Sequence, residues 1–217
     1  MVAGGDEFIT PWFMTPEAHK HLSERDPVMR ALILKHGECA LVPESRRSPF
    51  QSLVLAVAHQ QLHGAAASNI LRRFKKLFPG RRFPRPADLA AVTDEQIRAC
   101  GFSFAKIRAI RDLAEKTLSG LVPTAREIVQ LRDEEIILRL TEVRGVGRWT
   151  AEMLLIFQLG RPDVLPVDDF GVRNGFRIAY KKQSLPKPKE ILKFGERWRP
   201  YATTAAWYLW RAADGGK

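Results

Sequence analysis

The chain has 217 residues, of which 45% are hydrophobic and 27% are charged, and this balance excludes a mostly disordered protein. Lysine and arginine number 35 against 24 acidic residues, which gives a net charge of +11. Such a surplus favours a polyanionic partner, most often nucleic acid, although a basic surface without a specialised partner is the alternative. The two cysteines, Cys39 and Cys100, are too few for a disulfide scaffold or a four-cysteine metal site.

Helix signals recur through the first half of the chain. Thr15-Pro16 and Asp26-Pro27 are typical of helix starts, and Gly37 is typical of a helix end. Residues 50–58 are apolar on most sides and, taken alone, would also fit a buried strand. The alanine-rich stretch that follows favours a buried helix, a kink near Gly64 and a second helix.

The second half of the chain continues in the same way. Apolar residues at 107, 110, 113, 114 and 118 predict a helix over 104–118 with one buried stripe. Shorter helices are predicted at 88–90, at 93–96, from Thr124 and over 131–140. An exposed linker is predicted at 185–189 and an aromatic helix over 201–211. No βαβ or hairpin pattern is found, so the predicted fold class is all-α.

A glycine turn between two predicted helices is the first candidate for chemistry. Gly145 and Gly147 are separated by one residue, and Arg144 and Arg148 flank them. Glycine lets the backbone come close to another group, and the N–H groups at the start of the second helix would favour a phosphate. A tight helix–helix connection without a ligand is the alternative.

Two aspartates, Asp168 and Asp169, follow Pro166-Val167 at a predicted helix start. Aspartate is a preferred N-cap, so a purely structural role is one interpretation. The other is a carboxylate kept ionised by the helix end, which could stabilise a developing cation or orient a water molecule.

Two further clusters carry aromatic or polar side chains. Trp207 and Trp210 are three residues apart and share a helix face, which suits either core packing or a stacking surface for a flat, electron-poor ring. His59 and His63 are spaced for a metal on a helix, but no third ligand is nearby, so a metal is not expected. A helix tip that carries glutamine and leucine could instead enter a duplex as a wedge.

Taken in order, these motifs resemble the helix-hairpin-helix DNA glycosylase superfamily and, within it, the 3-methyladenine DNA glycosylase II family of alkylation repair. The resemblance extends over residues from about 15 to 211. Its specific part is the order: Gln60-Gln61-Leu62, the glycine turn, Val-Asp-Asp-Phe, and the tryptophan-rich tail. It implies two helical lobes around a DNA-binding cleft, at about 46–160 and 1–45 plus 161–217, in a compact form without a β domain.

The resemblance also implies a role for individual residues. Asp169 matches the catalytic aspartate, with Asp168 as its neighbour and cap, although a slip of one residue in the match would exchange them. The base pocket would be lined by Trp149, Met153, Phe170 and Trp210. The DNA-binding set would be Gln61, Leu62, His63, Arg144, Gly145, Val146, Gly147 and Arg148, with Leu62 or Gln61 as the wedge. Carbonyls of Thr141, Val143 and Gly145 resemble a monovalent-cation site.

Two departures from related enzymes narrow the expected activity. Lyase-competent relatives that resemble endonuclease III carry a lysine where this chain has Trp149, so a Schiff-base nucleophile is not available there. Two cysteines cannot build the iron–sulfur cluster of many such relatives. The resemblance therefore implies a monofunctional glycosylase that excises alkylated purines from double-stranded DNA, without a required cofactor.

Two other functions compete with this one. The first is a non-catalytic protein that binds damaged or distorted DNA, and the second is a glycosylase/lyase for oxidised or mismatched bases. An ionised Asp169 beside aromatic residues argues against a pure binder, because it would repel phosphates. We expect a monomer, located in the cytoplasm if the source is bacterial and in the nucleus if it is eukaryotic. The preferred lesion stays open among 3-methyladenine, 7-methylguanine, ethenoadenine and hypoxanthine.

Overall fold

Helices are the regular structure of the protein. The computed structural model describes residues 16–62 and 64–215, and neither range contains a strand. The all-α class predicted from the sequence is therefore confirmed. Thr15 and His63 lie outside the described residues.

The described chain forms two compact units. One unit comprises the residues up to 43 together with those from 155 onward, and the other comprises residues 44–154. The first unit holds α1 (Pro16–Arg25), α2 (Pro27–His36), α10 (Phe170–Ala179), α11 (Pro188–Gly195) and α12 (Ala202–Asp214). The second holds α3 (Pro49–His59), α4 (Gly64–Lys76), α5 (Asp94–Ala99), α6 (Phe104–Leu118), α7 (Ala125–Ile128) and α8 (Asp133–Thr141). Helix α9 (Arg148–Phe157) begins in the second unit and ends in the first.

Helix ends follow the local signals in the sequence. The Asp26 side chain accepts a hydrogen bond from the Val28 N–H at 2.9 Å, which caps α2 and confirms the predicted restart. Gly37 ends α2 with a positive φ of 72°. The apolar run at 50–58 forms α3, and α4 begins at Gly64, so the helix interpretation of this run is confirmed.

Asp26 is also the polar centre of the first unit, where it is 1% exposed. Its Oδ2 accepts hydrogen bonds from the Tyr180 hydroxyl at 2.6 Å and from the Trp198 indole N–H at 3.0 Å. Burial, together with the hydrogen bond to Asp26, raises the pKa of Tyr180, so its hydroxyl keeps the proton that it donates. The carboxylate thereby joins α2 to the aromatic core around α10 and α12.

Close contact between α10 and α12 depends on Gly175. A Cβ at this position would lie 1.8 Å from the Leu209 carbonyl oxygen, so no larger residue fits without moving a helix. Val172 and Phe176, which flank Gly175 on α10, are fully buried. Because Asp169 is the N-cap of α10, this packing fixes the position of the residue at the helix start.

The second unit has a separate core. Phe74 meets Phe78 and Phe102 edge to face, with ring centroids 5.3 and 5.4 Å apart. The predicted stripe of α6 is buried at residues 107, 110, 113 and 114. Leu118, by contrast, is 64% exposed, so its assignment to the buried stripe is wrong because it falls at the last residue of the helix.

The linker predicted at 185–189 is only partly exposed. Pro186 is buried, and its carbonyl accepts a hydrogen bond from Arg173 Nε at 3.0 Å. A proline carbonyl keeps its full capacity as an acceptor, and α10 supplies the donor. The prediction of a fully exposed linker is therefore wrong at this residue.

Candidate functional site

The predicted glycine turn joins α8 to α9. Gly145 has a φ of 75°, and a Cβ there would lie 3.4 Å from the Ala109 Cβ. The Val146 N–H closes the turn by donating to the Val143 carbonyl at 3.0 Å. The hydrogen bonds of the described chain leave the N–H groups of Gly145 and Gly147 unused. These two amides are therefore open to a phosphate.

The turn does not fit Val146 as a member of the predicted DNA-binding set. Its side chain is 3% exposed and its N–H is taken up inside the turn, so Val146 offers no donor to DNA. Among the three carbonyls proposed for a monovalent cation, that of Val143 accepts this N–H and that of Gly145 accepts the Gln60 side chain. A cation would have to share these oxygens with N–H donors, and the cation site stays a prediction.

A half-buried ion pair on α6, Asp112 with Lys116, holds the turn in place. Asp112 Oδ2 accepts the Arg144 N–H at 2.7 Å and the Lys116 ammonium at 3.1 Å, and Lys116 also donates to the Glu142 carbonyl. Burial works to raise the pKa of Asp112, but the Arg144 N–H and Lys116 outweigh it and lower the pKa overall. The turn is thus held in place before any ligand arrives.

The two arginines that flank the turn differ in their surroundings. The Arg148 guanidinium pairs with Glu134 at 2.6 Å and with Glu152 at 3.0 Å. The hydrogen bond from Arg148 lowers the pKa of Glu134, so both groups stay charged. Arg144 is exposed and lines a cavity instead. A phosphate contact is therefore easier for Arg144 than for Arg148, whose charge is offset by two carboxylates.

The predicted wedge lies in the loop between α3 and α4. Leu62 is 39% exposed, and Gln61 has a positive φ of 57°, which is uncommon for a residue with a side chain. Gln60 Nε2 donates to the Gly145 carbonyl at 2.9 Å, and Lys106 Nζ donates to two carbonyls of the same segment, Ala58 and Gln60, at 2.8 Å each. Neither Lys106 nor the role of the Gln60 side chain was predicted from the sequence.

A cavity of about 1250 Å³ opens beside this loop within the second unit. Trp149 and Met153, two of the predicted pocket residues, line it. No Asp or Glu is among the described residues that line the cavity. Its basic lining residues are Arg47, Arg72, Lys75, Lys106, Arg108 and Arg144. Such a one-sided charge attracts a polyanion.

The predicted carboxylate lies in the first unit, at the start of α10. Asp169 Oδ1 accepts the Val172 N–H and the Trp210 indole N–H, both at 2.8 Å. Asp169 is thus the N-cap, and the assignment of the cap to Asp168 is wrong, since Asp168 is exposed and precedes the cap. The structure brings Asp169 and Trp210 together across 41 residues of sequence.

Gly171 makes room for this contact. A Cβ at residue 171 would lie 2.8 Å from Trp210 Cδ1 and 3.0 Å from Asp169 Oδ1. A side chain there would therefore push the indole away from the carboxylate. Phe170, predicted in the base pocket, is 69% exposed.

A second aromatic residue supports Trp210 from α9. Phe157 stacks on the Trp210 ring with centroids 5.6 Å apart and planes 25° apart. Trp149, Met153 and Phe157 follow one another at intervals of four residues, so they share one face of α9. Phe157 was not predicted from the sequence, although its spacing of four residues from Met153 is a signal that indicates it.

The described residues show neither a membrane-spanning helix nor a side-chain metal cluster. In residues 16–62 and 64–215, no helix is long and apolar enough to cross a bilayer. Over the same ranges, no group of three or more His, Cys, Asp or Glu side chains could hold a metal ion.

Comparison with known proteins places these features in a family. Residues 54–200 match the family described as HhH-GPD superfamily base excision DNA repair protein. The chain belongs to the HhH-GPD superfamily. The resemblance inferred from the sequence motifs is thereby confirmed.

Several members of the HhH-GPD superfamily are similar over most of this chain. DNA-3-methyladenine glycosylase 1 of Schizosaccharomyces pombe is 46% identical over 168 residues, which are 77% of this chain and 74% of that protein. The alkylbase DNA glycosidase-like protein mag2 of the same yeast is 35% identical over 195 residues, 89% of this chain and 92% of the other.

Solved structures of the superfamily superimpose closely. The S. pombe enzyme Mag1 in complex with abasic DNA has a TM-score of 0.81 and 43% identity, and the match covers 90% of this chain and 95% of that one. A DNA-3-methyladenine glycosidase of Bacillus halodurans has a TM-score of 0.83 at 37% identity, covering 92% and 89%.

Proposed function

We propose that this protein is a monofunctional DNA glycosylase that hydrolyses the N-glycosidic bond of alkylated purines in duplex DNA. The observation that carries the proposal is the Asp169 carboxylate, held through Oδ1 by the Val172 N–H and the Trp210 indole at 2.8 Å each. The names of the DNA-3-methyladenine glycosylase of S. pombe and the DNA-3-methyladenine glycosidase of B. halodurans support alkylated purines as the substrate class.

The first step is extrusion of the damaged nucleotide. The enzyme cannot reach a base that is stacked inside a duplex, and flipping that base out costs about 2 kcal/mol or more. The N–H groups of Gly145 and Gly147, with the surplus charge of +11, would hold the bent backbone and offset this cost. Leu62 would occupy the space that the flipped base leaves in the stack.

The second step is cleavage of the bond between C1′ and the base nitrogen. A 3- or 7-methylated purine already carries a positive charge, so it leaves as a neutral base without needing a general acid. The sugar then develops oxocarbenium character, and the ionised Asp169 stabilises this charge. Water adds its oxygen to C1′ and gives up a proton, which leaves an abasic site and a free base. Trp210, which contacts Asp169, would favour the cationic base through cation–π contact, worth about 0.5–2 kcal/mol.

Hydrolysis, not β-elimination, follows from the residue at position 149. A lyase needs an amine that attacks C1′ to form a Schiff base, and Trp149 supplies none. Water and one carboxylate are sufficient for the proposed reaction, so no cofactor is required. Treatment of the reacting mixture with borohydride should therefore trap no adduct between enzyme and DNA.

The Asp169→Asn variant tests the proposal. Asparagine keeps an Oδ1 acceptor for Val172 and Trp210, so the helix cap is preserved while the charge is lost. We expect wild type to release free base from alkylated duplex DNA and Asp169→Asn to be at least about 100-fold slower, an effect typical of losing a charge that stabilises the transition state. Binding to an abasic-analogue duplex should be unchanged.

Asp168→Asn is the matched control, because it removes a neighbouring exposed carboxylate and should leave release intact. Equal activity of wild type and Asp169→Asn would disprove the catalytic role. Tight binding by wild type without release from any alkylated substrate would instead identify a damage-binding protein.

A further inference from the structure

Lys106 binds two backbone carbonyls of its own chain with its ammonium group. It projects from α6, it is half-buried, and its ammonium donates to the Ala58 and Gln60 carbonyls at 2.8 Å each. These carbonyls lie at the end of α3, where the last turn of a helix leaves acceptors unsatisfied and carries partial negative charge. Burial lowers the pKa of Lys106, in keeping with an amine that has left water for these two oxygens.

Gln60, whose backbone carbonyl accepts from Lys106, reaches the glycine turn with its side chain. Gln60 Nε2 donates to the Gly145 carbonyl at 2.9 Å, across 85 residues of sequence. The next residue, Gln61, has a φ of 57°, a conformation that costs about 1 kcal/mol or more in a residue other than glycine. Fixed anchors on the preceding residue are therefore needed to hold the loop that presents Leu62.

We propose that Lys106 and Gln60 are positioning residues that couple the glycine turn at Gly145 to Leu62, the proposed wedge. The chain of contacts runs from Lys106 to the Gln60 backbone, and from the Gln60 side chain to Gly145. When the N–H groups of Gly145 and Gly147 bind a phosphate, these contacts fix where Leu62 enters the duplex. The inference rests on the proposed function for its chemical readout, and it deepens that function by naming what sets the wedge.

Two simpler roles for Lys106 lead to different expectations. If Lys106 contacts a phosphate, its loss should reduce the salt dependence of DNA binding by about one unit of slope. If Lys106 only stabilises the end of α3, its loss should lower the melting temperature without a specific effect on the duplex. Positioning requires a third pattern, in which the salt slope is unchanged and base unstacking is impaired.

The test uses the full chain and two duplex probes. One carries a 7-methylguanine and reports single-turnover release of base, and the other carries an abasic analogue beside 2-aminopurine, whose fluorescence rises when it unstacks. The variants are Lys106→Met, Lys106→Arg and Gln60→Met. Lys76→Met is the matched control, because Lys76 is an exposed lysine of α4 that does not line the cavity.

We expect Lys106→Met to slow base release by about 10- to 100-fold, the range for lost charge-assisted hydrogen bonds, and to reduce the fluorescence rise. Gln60→Met should slow release by about fivefold, in line with one neutral hydrogen bond. Lys106→Arg, which retains donors, should recover most of the loss. The double variant should be little slower than Lys106→Met alone, because both residues act in one chain.

Three outcomes would overturn the coupling. They are a Lys106→Met variant that matches Lys76→Met in both assays, a salt slope that falls by about one, or losses in the double variant that simply multiply. If Lys106→Met does not fold, Gln60→Met still provides the test. A rise in 2-aminopurine fluorescence equal to that of wild type would then reject the proposal. Failure of wild type to release base would contradict the proposed function, and the fluorescence assay would still decide the coupling.

Discussion

The hydrogen bond between Trp210 and Asp169 leads to a prediction that separates the two roles of the indole. Trp210→Phe removes the N–H that donates to Asp169 Oδ1 at 2.8 Å but keeps an aromatic ring to stack on Phe157. The carboxylate would retain the Val172 N–H on the same oxygen. Its position would then be fixed at one point instead of two.

The size of the effect follows from the type of bond that is lost. A hydrogen bond to a charged group contributes about 1.5–3 kcal/mol. If that full amount holds the carboxylate in its productive position, the rate of base release falls by about 10- to 150-fold. The remaining bond from Val172 keeps the loss toward the lower end, so we expect about 10- to 30-fold.

Single-turnover release from a duplex with 7-methylguanine measures this loss. Trp207→Phe is the matched control, because Trp207 lies on the same helix and packs on Tyr208 and Arg211. The decisive comparison is the double variant Asp169→Asn with Trp210→Phe. If Trp210 acts through the carboxylate, the double variant is no slower than Asp169→Asn alone. Losses that multiply would refute this reasoning and leave Trp210 with its stacking role only.

Three further predictions concern stability. Gly175→Ala should lower the free energy of unfolding in urea by about 3 kcal/mol or more, because the new Cβ would overlap the Leu209 carbonyl. Asp26→Asn should cost about 3 kcal/mol in thermal unfolding, since an amide N–H₂ would then face a hydroxyl or an indole donor. Asp112, whose folded-state pKa is lowered, stabilises the protein above its unfolded pKa of about 4 and loses this as the pH falls through the folded value. The stability difference between wild type and Asp112→Asn should therefore be present at about pH 7 and shrink as the pH falls below about 4, and its persistence at low pH would show that the charge is not its source.

Features set by neighbouring residues could be predicted from the sequence. Asp26-Pro27, Gly37 and the glycine pair at 145 and 147 act through the local backbone. The structure begins or ends a helix beside Asp26, Gly37 and Gly147. The two aspartates before α10 show the limit of such signals. Either could cap the helix, and the choice of Asp169 depends on which oxygen reaches the N–H three residues on.

Contacts between distant residues could not be predicted in this way. Gln60 and Gly145 are 85 residues apart, and Asp169 and Trp210 are 41 apart, so no helical period connects either pair. The Pro186 carbonyl likewise accepts a hydrogen bond from Arg173 on α10, a contact that no local signal predicts. In the same way, the pairing of Arg148 with Glu134, fourteen residues earlier, could not be predicted from a count of charges.

The cap at Asp169 has a consequence for how stability and activity are linked. The N-cap bond and the proposed catalytic charge belong to the same side chain, and an asparagine preserves the first while it removes the second. Caps of either kind stabilise a helix about equally, so Asp169→Asn should cost activity without costing stability. Asp169→Ala would remove both, at about 1 kcal/mol for the cap. The difference in unfolding free energy between these two variants therefore measures the contribution of the cap. The activity that both lose relative to wild type measures the contribution of the charge.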